Sequence, residues 1–284
     1  KKLQFRGLKK GNSDDEETYF NGNNIKTATK DRPFMDGLLD KSVLLYAGTK
    51  YHLANPYYRA KIDYLFIEEA GQTSLTDMIA LGSITKNIVL IGDQLQLGQP
   101  TRGSHPGESG KSVLDYLLED KDTIAENRGI FLNRTYRLHP KINDFTSSSF
   151  YDGRLLTHTN TKERKINFNK NCLINSEGIH FIKMDHEDRS QTSIEEFEII
   201  NKLMKQLIGL KFNDNGKERK LEVSDVLIVS PYNAQVNFLL ARLVKGTRVG
   251  TIDRFQGQEA PITIISMTSS DTENLPRNKA FFFN

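Results

Sequence analysis

Two acidic side chains stand at the end of an apolar segment in the first half of the chain. Glu68 and Glu69 interrupt the run LFIEEAGQ (65–72) directly after its hydrophobic residues. Carboxylates at the end of a buried strand can hold a hydrated Mg²⁺ and orient a water molecule for attack on phosphate. The dipeptide alone also fits an ordinary surface pair of glutamates, so its chemical role is a hypothesis.

A second apolar run ends in a similar way. In NIVLIGDQLQLGQP (87–100) the hydrophobic residues are followed by Gly92 and Asp93, with Gln96 close behind. In parallel α/β sheets, ligands bind beyond the carboxyl ends of the strands. A polar side chain at that point can sense a phosphate or a metal-bound water. A plain Gly-Asp turn is the alternative interpretation.

Arginine and an aromatic residue follow a third apolar run. FLNRTYRLHP (131–140) contains Arg134, Tyr136, Arg137 and His139. Arginine suits phosphate recognition because its guanidinium is always charged and presents a bidentate fork. Tyrosine can stack on a base. A helix start with solvated arginines before a proline is the alternative.

A fourth segment, VGTIDRFQGQEA (249–260), is dense in polar residues and glycine. Such a segment suits contact with a phosphate backbone, although a polar loop explains it equally well. The residues concerned are Gly250, Thr251, Asp253, Gln256, Gly257 and Glu259.

The segment GESGKS (107–112) ends like a phosphate-binding loop but does not complete the pattern. The full pattern G-x-x-x-x-G-K-[ST] needs glycine five positions before Gly110, where this chain has His105. We therefore expect no nucleotide cradle here. Instead, Ser109 or Ser112 is expected to begin the helix SVLDYLLED (112–120).

Short apolar runs alternate with amphipathic stretches along most of the chain. Continuous runs of this kind predict strands that are buried on both faces of a parallel sheet, and stripes at helical spacing predict packed helices. The expected strands are 42–47, 64–69, 87–92, 129–133, 179–184, 225–230 and 261–267, and the expected helices are 193–209 and 233–244.

These elements predict an α/β fold of βαβ units in two domains. Residues 1–40 are expected to form an irregular, partly mobile lead-in, and residues 151–178 and 211–220 to be surface insertions. The boundary is expected within 120–129, which gives domains at 1–128 and 129–284, each with its own parallel sheet.

Composition excludes several classes of protein. Of the 284 residues, 37% are hydrophobic and 26% charged, a balance that argues against wholesale disorder. No apolar run reaches the roughly 18 residues of a membrane span, and the first residues carry no secretory signal. The single cysteine, Cys172, excludes a disulfide framework and a cysteine-rich zinc site, and it favours a cytoplasmic location. The net charge of +3 is too balanced to indicate nucleic-acid binding by itself.

Taken in order, the four polar segments resemble the motifs of superfamily 1 helicases, and in particular of the B branch of 5′-to-3′ translocases. EEAGQ (68–72) is similar to motif II, usually DEAGQ or DEAAQ, and GDQLQL (92–97) is similar to motif III. TYRLHP (135–140) resembles motif IV, while VSPYNAQV (229–236) and GTIDRFQGQE (250–259) resemble the segments that lead into and form motif V. AGT (47–49) is similar to a nucleic-acid contact that precedes motif II.

Within that branch, HPGESGKS and FYDGRL look most like bacterial helicases that are often fused to a RecB-like nuclease. The resemblance covers roughly residues 40–284. It implies two RecA-like (P-loop NTPase) parallel-sheet domains, the first truncated at its N-terminus, with ATP and Mg²⁺ in the cleft between them and a single strand running across both. DNA is favoured over RNA as that strand, and a fused or associated nuclease domain is a possible partner.

The resemblance also implies roles for individual residues. Glu68 would hold Mg²⁺, Glu69 would polarise the attacking water, and Gln96 would sense the γ-phosphate. Arg137 would act as an arginine finger, and Tyr136 would lie near the adenine. Further nucleotide contacts would come from Gln72, Asp93, Gly257 and Glu259, and contacts to the nucleic acid from Thr49, Tyr232, Gln235 and Thr251.

Three departures from the family pattern qualify this expectation. Motif II has Glu68 where aspartate is usual, which moves the carboxylate by about 1.5 Å. No complete phosphate-binding loop precedes Glu68, and the arginine-containing last motif does not follow NKAFFFN (278–284). We therefore expect the chain to be part of an ATP-dependent helicase or translocase that does not hydrolyse ATP alone.

Two other functions stay open. One is a catalytically inactive module that binds single strands or a partner through a helicase fold. The other is a metal nuclease using Glu68 and Glu69, which is disfavoured because no further acidic residue with a nearby lysine completes a nuclease-like set.

Overall fold

The computed structural model describes residues 5–11, 22–98, 106–119, 121–168 and 172–270. It divides the chain into two compact units, Lys1–Asp122 and Thr123–Asn284, called here unit 1 and unit 2. The predicted assignment of residues 1–128 and 129–284 to two RecA-like domains remains a prediction.

Unit 1 alternates strands with short helices. Its strands are β1 (Gly7–Lys10), β2 (Ile25–Ala28), β3 (Leu45–Ala47), β4 (Ile62–Ile67) and β5 (Thr85–Leu90), and its helices are α1 (Arg32–Asp40), α2 (Lys50–Leu53), α3 (Leu75–Gly82) and α4 (Val113–Leu118). The strands pair in parallel, in the order β2-β1-β3 and as the pair β4-β5.

The expected irregular lead-in is wrong for the described part of residues 1–40. β1, β2 and α1 lie there, and β1 is the central strand of its sheet. Polar residues obscured these elements, because short strands such as GLKK and IKTA carry lysine at their more exposed positions. Residues 1–4 and 12–21 of the lead-in lie outside the described residues.

β4 and β5 are not buried on both faces in the described part of the chain, contrary to expectation. Leu65 and Ile67 of β4 enter the core with Phe34, whereas Tyr64 and Phe66 are 60% and 63% exposed. The two sets alternate because successive side chains of a strand point to opposite faces. A continuous apolar run therefore identified the strand correctly but not the burial of its second face.

Two of the helices of unit 1 begin at serine caps. The Ser112 hydroxyl accepts a hydrogen bond from the Asp115 N–H at 3.0 Å, which confirms Ser112 as the residue that starts α4. Ser74 caps α3 in the same way through the Asp77 N–H, at 3.2 Å. Each cap satisfies an N–H group that the first turn of a helix leaves without a partner.

Unit 2 contains longer helices and several sheets. Its strands are β6 (Arg134–Thr135), β7 (Leu156–Thr157), β8 (Lys165–Asn167), β9 (Lys211–Asp214), β10 (Lys217–Lys220), β11 (Val226–Val229), β12 (Arg248–Gly250) and β13 (Ile262–Ile265), and its helices are α5 (Pro140–Phe150), α6 (Ile194–Leu207) and α7 (Asn233–Leu240).

The main sheet of unit 2 is parallel, with the order β12-β11-β13. The predicted stripes of α6 and α7 pack with it into one core, through Ile200 and Met204 of α6 and Val236 and Leu239 of α7. The helical interpretation of both stretches is confirmed. Central strand β11 is buried almost throughout, as a strand covered by helices should be.

Two predicted strands of unit 2 are absent from the described structure. Residues 129–133 and 179–184 form no strand. Their apolar side chains are not buried in a sheet, since Leu132 and Phe181 are 77% and 90% exposed. The expected insertion 211–220 is instead a hairpin of β9 and β10, whose turn residues Asn215 and Gly216 have φ of 55° and 87°. Asn-Gly suits this turn because both residues tolerate positive φ.

The fold class is confirmed as a mixed α/β protein built on parallel sheets, as in RecA-like domains. None of the helices in the described ranges is long and apolar enough to cross a membrane.

Candidate functional site

The acidic pair lies at the carboxyl end of β4, where the chain turns sharply. The Ile67 carbonyl accepts the Ile91 N–H at 2.8 Å, and the Ala70 N–H donates to the Ile91 carbonyl at 2.9 Å, so the β4–β5 ladder continues past both strands. Between these bonds Glu69 adopts a left-handed conformation, with φ 53° and ψ 45°. This turn starts a single 3-10 turn at Ala70–Gln72.

Two glycines let the loops after β4 and β5 touch through their backbones. A Cβ at Gly71 would lie within clashing distance of the Asp93 carbonyl oxygen, and a Cβ at Gly92 would lie 2.6 Å from the Ala70 nitrogen. Only glycine permits so close an approach of two main chains. The EEAGQ and GDQLQL segments are therefore interlocked, and the side chains that follow each strand share one edge of the sheet.

The carboxylates of Glu68 and Glu69 are exposed at this edge. Within the described residues neither side chain has a hydrogen bond or an ion pair, and no group of three or more acidic, histidine or cysteine side chains forms a metal cage. Mg²⁺ at a nucleotide is commonly bound by one or two carboxylates together with phosphate oxygens and water. An exposed, unpaired carboxylate pair fits that kind of site.

The loop after β5 is organised by Asp93. Its carboxylate accepts the Leu95 N–H at 3.1 Å and the side-chain amide of Gln96 at 3.2 Å. Gln94 points elsewhere, because its amide donates to the Asp122 carbonyl at 2.5 Å. Gln96 is exposed, so the predicted phosphate sensor is accessible and oriented by the predicted nucleotide contact Asp93. Gln72, also predicted to contact nucleotide, is half-buried on the 3-10 turn.

Thr49 is exposed immediately before α2. The next residue, Lys50, forms an ion pair with Asp77 of α3 at 2.5 Å, which ties the start of α2 to its neighbour. Burial raises the pKa of Asp77, but hydrogen bonds from Lys50 and Ser74 outweigh it and leave that pKa below its usual range. The carboxylate thus stays charged and the anchor beside Thr49 intact at neutral pH.

In unit 2, Tyr136 and Arg137 lie on a tight bend after β6. The Thr135 hydroxyl accepts the N–H groups of Arg137 and Leu138 at 3.2 and 3.3 Å, which sets the course of the bend. Tyr136 is 64% exposed and its ring stacks on His158, with centroids 4.6 Å apart. An exposed aromatic face backed by a second ring can receive a base.

Arg137 and Glu259 form an ion pair in unit 2. Their side chains are 62% and 61% exposed, so both remain accessible to a ligand. Sequence reasoning assigned Arg137 and Glu259 to a nucleotide site from segments more than a hundred residues apart, and the fold brings them into contact. Gly257, two residues before Glu259, has a φ of 74°, a left-handed conformation that favours glycine.

Tyr232 and Thr251 are predicted to contact single-stranded nucleic acid. They follow neighbouring β-strands of the main sheet, β11 and β12. The Ser230 N–H donates to the Gly250 carbonyl at 3.1 Å, which joins the chain after β11 to the end of β12. Tyr232 and Thr251 are both half-buried at this edge. The carboxyl edge of a parallel sheet is where such folds bind ligands.

Gln235 is placed differently from its prediction. It was expected to line the nucleic-acid track, but its side chain is fully buried. Its amide oxygen accepts the Ser193 N–H at 3.0 Å and its amide nitrogen donates to the Ser266 hydroxyl at 3.1 Å. In this conformation the buried Gln235 side chain has no exposed surface that could contact nucleic acid.

Sequence reasoning missed the partners of Gln235. Ser193, Glu196 and Ser266 are buried polar residues, and a hydropathy stripe does not single out such positions. One signal was available. Ser193 and Glu196 have the S-x-x-E spacing of a helix cap, and the Ser193 hydroxyl accepts the Glu196 N–H at 3.1 Å.

The expectation that the GESGKS segment forms no nucleotide cradle stays a prediction. Lys111 pairs with Glu108 at 2.8 Å, and Ser109 donates to the Pro106 carbonyl at 2.7 Å. His105, which breaks the loop pattern, and the tail 278–284 lie outside the described residues.

Comparison with known proteins decides the family. A family model described as an AAA domain matches residues 110–282, which is more than half of the chain. The chain belongs to this family. Together with the relatives described next, the match confirms that it is a member of the superfamily 1 helicases.

Three helicases of this group are similar to the chain over about three quarters of its length. The DNA replication ATP-dependent helicase/nuclease dna2 of Schizosaccharomyces pombe is 28% identical over 77% of this chain and 17% of its own length. Its namesake from Gallus gallus is 27% identical, over 77% of the chain and 21% of its own length. The DNA polymerase alpha-associated DNA helicase A of Schizosaccharomyces pombe is 28% identical, over 74% and 33%. The chain therefore spans only a sixth to a third of these relatives.

Proposed function

We propose that this protein is an ATP-dependent helicase or translocase that acts on single-stranded nucleic acid. The observation that carries the proposal is the interlocked pair of loops after β4 and β5. Gly71 and Gly92 hold the acidic segment against the Asp93–Gln96 segment, which places a carboxylate pair and the Gln96 amide at one sheet edge. The names of two relatives, ATP-dependent helicase/nuclease, support a link between this edge and ATP hydrolysis.

Within unit 1, Glu68 would bind Mg²⁺ and Glu69 would accept a hydrogen bond from the attacking water. Gln96, oriented by Asp93, would contact the γ-phosphate, and Gln72 would add a further polar contact to the nucleotide. Bound Mg²⁺ would neutralise charge that develops on the phosphate oxygens. The exposure of both carboxylates supports these roles.

Within unit 2, Arg137 would stabilise the transferring phosphoryl group as an arginine finger. It would do so by exchanging Glu259 for phosphate, which the exposure of that ion pair permits. Tyr136 would stack on the adenine, supported from behind by His158. Glu259 and Gly257 would contact the rest of the nucleotide.

The strand would contact Thr49 in unit 1 and Tyr232 and Thr251 in unit 2. DNA is favoured over RNA as the bound nucleic acid because the names of the relatives above include DNA replication and DNA helicase. The small net charge of +3 predicts few phosphate contacts and a modest salt dependence of affinity. The word nuclease in two of those names supports an associated nuclease domain. A cytoplasmic location rests on the single cysteine alone.

The 284-residue chain by itself is proposed not to turn over ATP. Its sequence contains no complete G-x-x-x-x-G-K-[ST] pattern, and Glu68 replaces the usual aspartate. A lysine in that pattern would neutralise the β- and γ-phosphates, so its absence removes a large part of the driving interaction.

ATP hydrolysis by the full-length protein, measured with and without single-stranded DNA or RNA, tests the proposal. We expect stimulation by DNA above RNA, and loss of turnover in Glu69→Gln but not in Glu126→Gln, an exposed glutamate of unit 2. Strand binding without hydrolysis, even after Glu68→Asp, would instead identify an inactive binding module. Metal-dependent nicking of a plasmid that Glu69→Gln abolishes would identify a nuclease.

A further inference from the structure

A set of buried polar side chains lies where β11 and β13 end, and none of the roles proposed above uses it. Its members, called here the polar cluster, are each at most 9% exposed: Ser193, Glu196, Ser230, Gln235, Ser266 and Thr268. Burying polar groups is unfavourable unless each finds a hydrogen-bond partner. The partners in this cluster come from α6, α7 and the loops after two strands of the main sheet.

Gln235 is the centre of the cluster. Its amide oxygen accepts the Ser193 N–H at 3.0 Å, while its amide nitrogen donates to the Ser266 hydroxyl at 3.1 Å. The amide therefore joins the start of α6 to the residue that follows β13. Glutamine suits the position because one short group both accepts and donates, which neither a carboxylate nor a hydrocarbon can do.

Glu196 continues the chain of bonds from Ser266. The Ser266 hydroxyl donates to one carboxylate oxygen of Glu196, and the other oxygen accepts the Thr268 N–H at 2.7 Å. His186 lies 3.4 Å from that second oxygen and 2.9 Å from the Ser270 hydroxyl. One carboxylate thus binds the loop after β13 at successive points.

The loop is held in a conformation that its own residues disfavour. Thr268 has a φ of 70°, although a β-branched residue rarely adopts the left-handed region. Strained backbone of this kind persists only where the surroundings fix it, and it concentrates at functional sites. Here the Glu196 carboxylate supplies the fixing contact.

Ser230 connects the polar cluster to Tyr232 and Thr251, the proposed contacts to single-stranded nucleic acid. Its hydroxyl lies 3.1 Å from the Thr268 hydroxyl, and its N–H donates to the Gly250 carbonyl at 3.1 Å. Tyr232 comes two residues after Ser230, and Thr251 comes directly after Gly250. A shift within the cluster would therefore move the chain after both β11 and β12, where Tyr232 and Thr251 lie.

We propose that Gln235 and Ser266 are positioning residues for strand binding, which hold Tyr232 and Thr251 in place without touching the strand. The proposal rests on the proposed function, because it assumes that Tyr232 and Thr251 contact a single strand. Gln235 was expected to contact the nucleic acid directly. In this proposal it instead supports, from the protein interior, the residues that make that contact.

The test measures the affinity of the full-length protein for a fluorescent single-stranded DNA oligonucleotide. Ser266→Ala, a small change at a residue that is 1% exposed, should weaken binding about five- to tenfold. Gln235→Leu should do the same. The double variant should bind the DNA only slightly less tightly than the single variant with the lower affinity, because both changes break the same chain of hydrogen bonds.

Two readouts separate positioning from a general loss of stability. Affinity for a fluorescent ATP analogue should stay within about twofold of the wild type for both variants. Ser147→Ala is the matched control, since Ser147 of α5 is also buried, at 6% exposure, and its hydroxyl accepts the Leu155 N–H at 3.1 Å. That variant should lose a comparable amount of thermal stability and keep its strand affinity.

Several results would overturn the proposal. Unchanged strand affinity in both Ser266→Ala and Gln235→Leu would mean that the polar cluster only stabilises the fold. An effect of Gln235→Leu that Ser266→Ala does not share would mean that Gln235 meets the strand directly. Absence of strand binding by the wild type would refute the proposed function itself, and the positioning role with it.

Discussion

The two sheet edges of this protein are held in place in different ways. In unit 1 the loops after β4 and β5 touch main chain to main chain at Gly71 and Gly92, and the acidic side chains between them are exposed. In unit 2 buried side chains centred on Gln235 of α7 join the start of α6 to the loop after β13.

The difference follows from what each edge is proposed to do. A loop fixed by backbone packing leaves its carboxylates unoccupied, which suits the binding of a metal and a nucleotide. Where side chains fix a loop, their polar groups already form hydrogen bonds inside the protein. Such residues can then affect binding only by positioning their neighbours. We therefore propose different roles for Gln96 and Gln235, two residues of the same type, because Gln96 is exposed and Gln235 is buried.

Gly71→Ala should give the largest effect, because it separates the two loops of unit 1. The new Cβ would clash with the Asp93 carbonyl, a backbone atom that cannot move aside without displacing the loop. Misplacement of catalytic groups by about 1 Å costs about 100-fold in rate. We expect ATP hydrolysis by the full-length protein, stimulated by single-stranded DNA, to fall by about that factor, measured as kcat.

Gly98→Ala is the control for this change. Gly98 lies in the neighbouring loop after β5, and a Cβ there meets no atom within 4 Å, so activity should be retained. Full activity in Gly71→Ala would show that the close approach of the two loops is unimportant.

Arg137→Ala should lower kcat strongly without destabilising unit 2. Its ion pair with Glu259 is exposed, and such pairs contribute only about 0–1 kcal/mol. An arginine finger, in contrast, accelerates phosphoryl transfer by about 1,000-fold or more. Arg137→Lys should restore little, because lysine lacks the bidentate fork.

The measurement is kcat together with the thermal midpoint of unfolding. A fall in the midpoint as large as that of the Ser147→Ala control would assign Arg137 a structural role. An unchanged kcat would remove it from the reaction.

The smallest expected effect is a pH dependence of stability that belongs to unit 1. His52 is buried with its Nε2 atom 2.8 Å from the Tyr58 hydroxyl. Burial lowers its pKa from the usual 6.5, with the charge of Lys10 acting in the same direction and Asp31 opposing. The unfolded chain therefore binds a proton more readily, and unfolding becomes easier as pH falls below 6.5 towards the folded pKa.

Denaturant unfolding at pH 7.5 and at pH 5.5 would show this loss, and His52→Gln should reduce it. Equal pH dependence in wild type and variant would assign the titration to other groups.

The sequence predicted the parts of the fold that depend on local pattern. The runs at β4, β5, β11 and β13 and the stripes of α6 and α7 are where they were expected. The polar elements β1 and β2 were missed, since their burial depends on neighbours that are distant in sequence.

The candidate site shows the same limit. The contact of Arg137 with Glu259 agrees with the motifs that nominated both residues. The burial of Gln235 could not be predicted. The sequence of a motif is the same whether its glutamine contacts nucleic acid or, as here, the buried Ser266 hydroxyl. Motif identity therefore located the sheet edge, while only packing decided which side chains are exposed there.

A paired measurement on Glu69→Gln and Ser266→Ala tests the division of labour between the two edges most directly. Strand affinity and kcat for ATP hydrolysis at saturating DNA would be determined for each variant of the full-length protein. We predict that Glu69→Gln loses turnover and keeps its strand affinity, whereas Ser266→Ala loses strand affinity and keeps its turnover. Variants that changed both quantities in parallel would contradict the account.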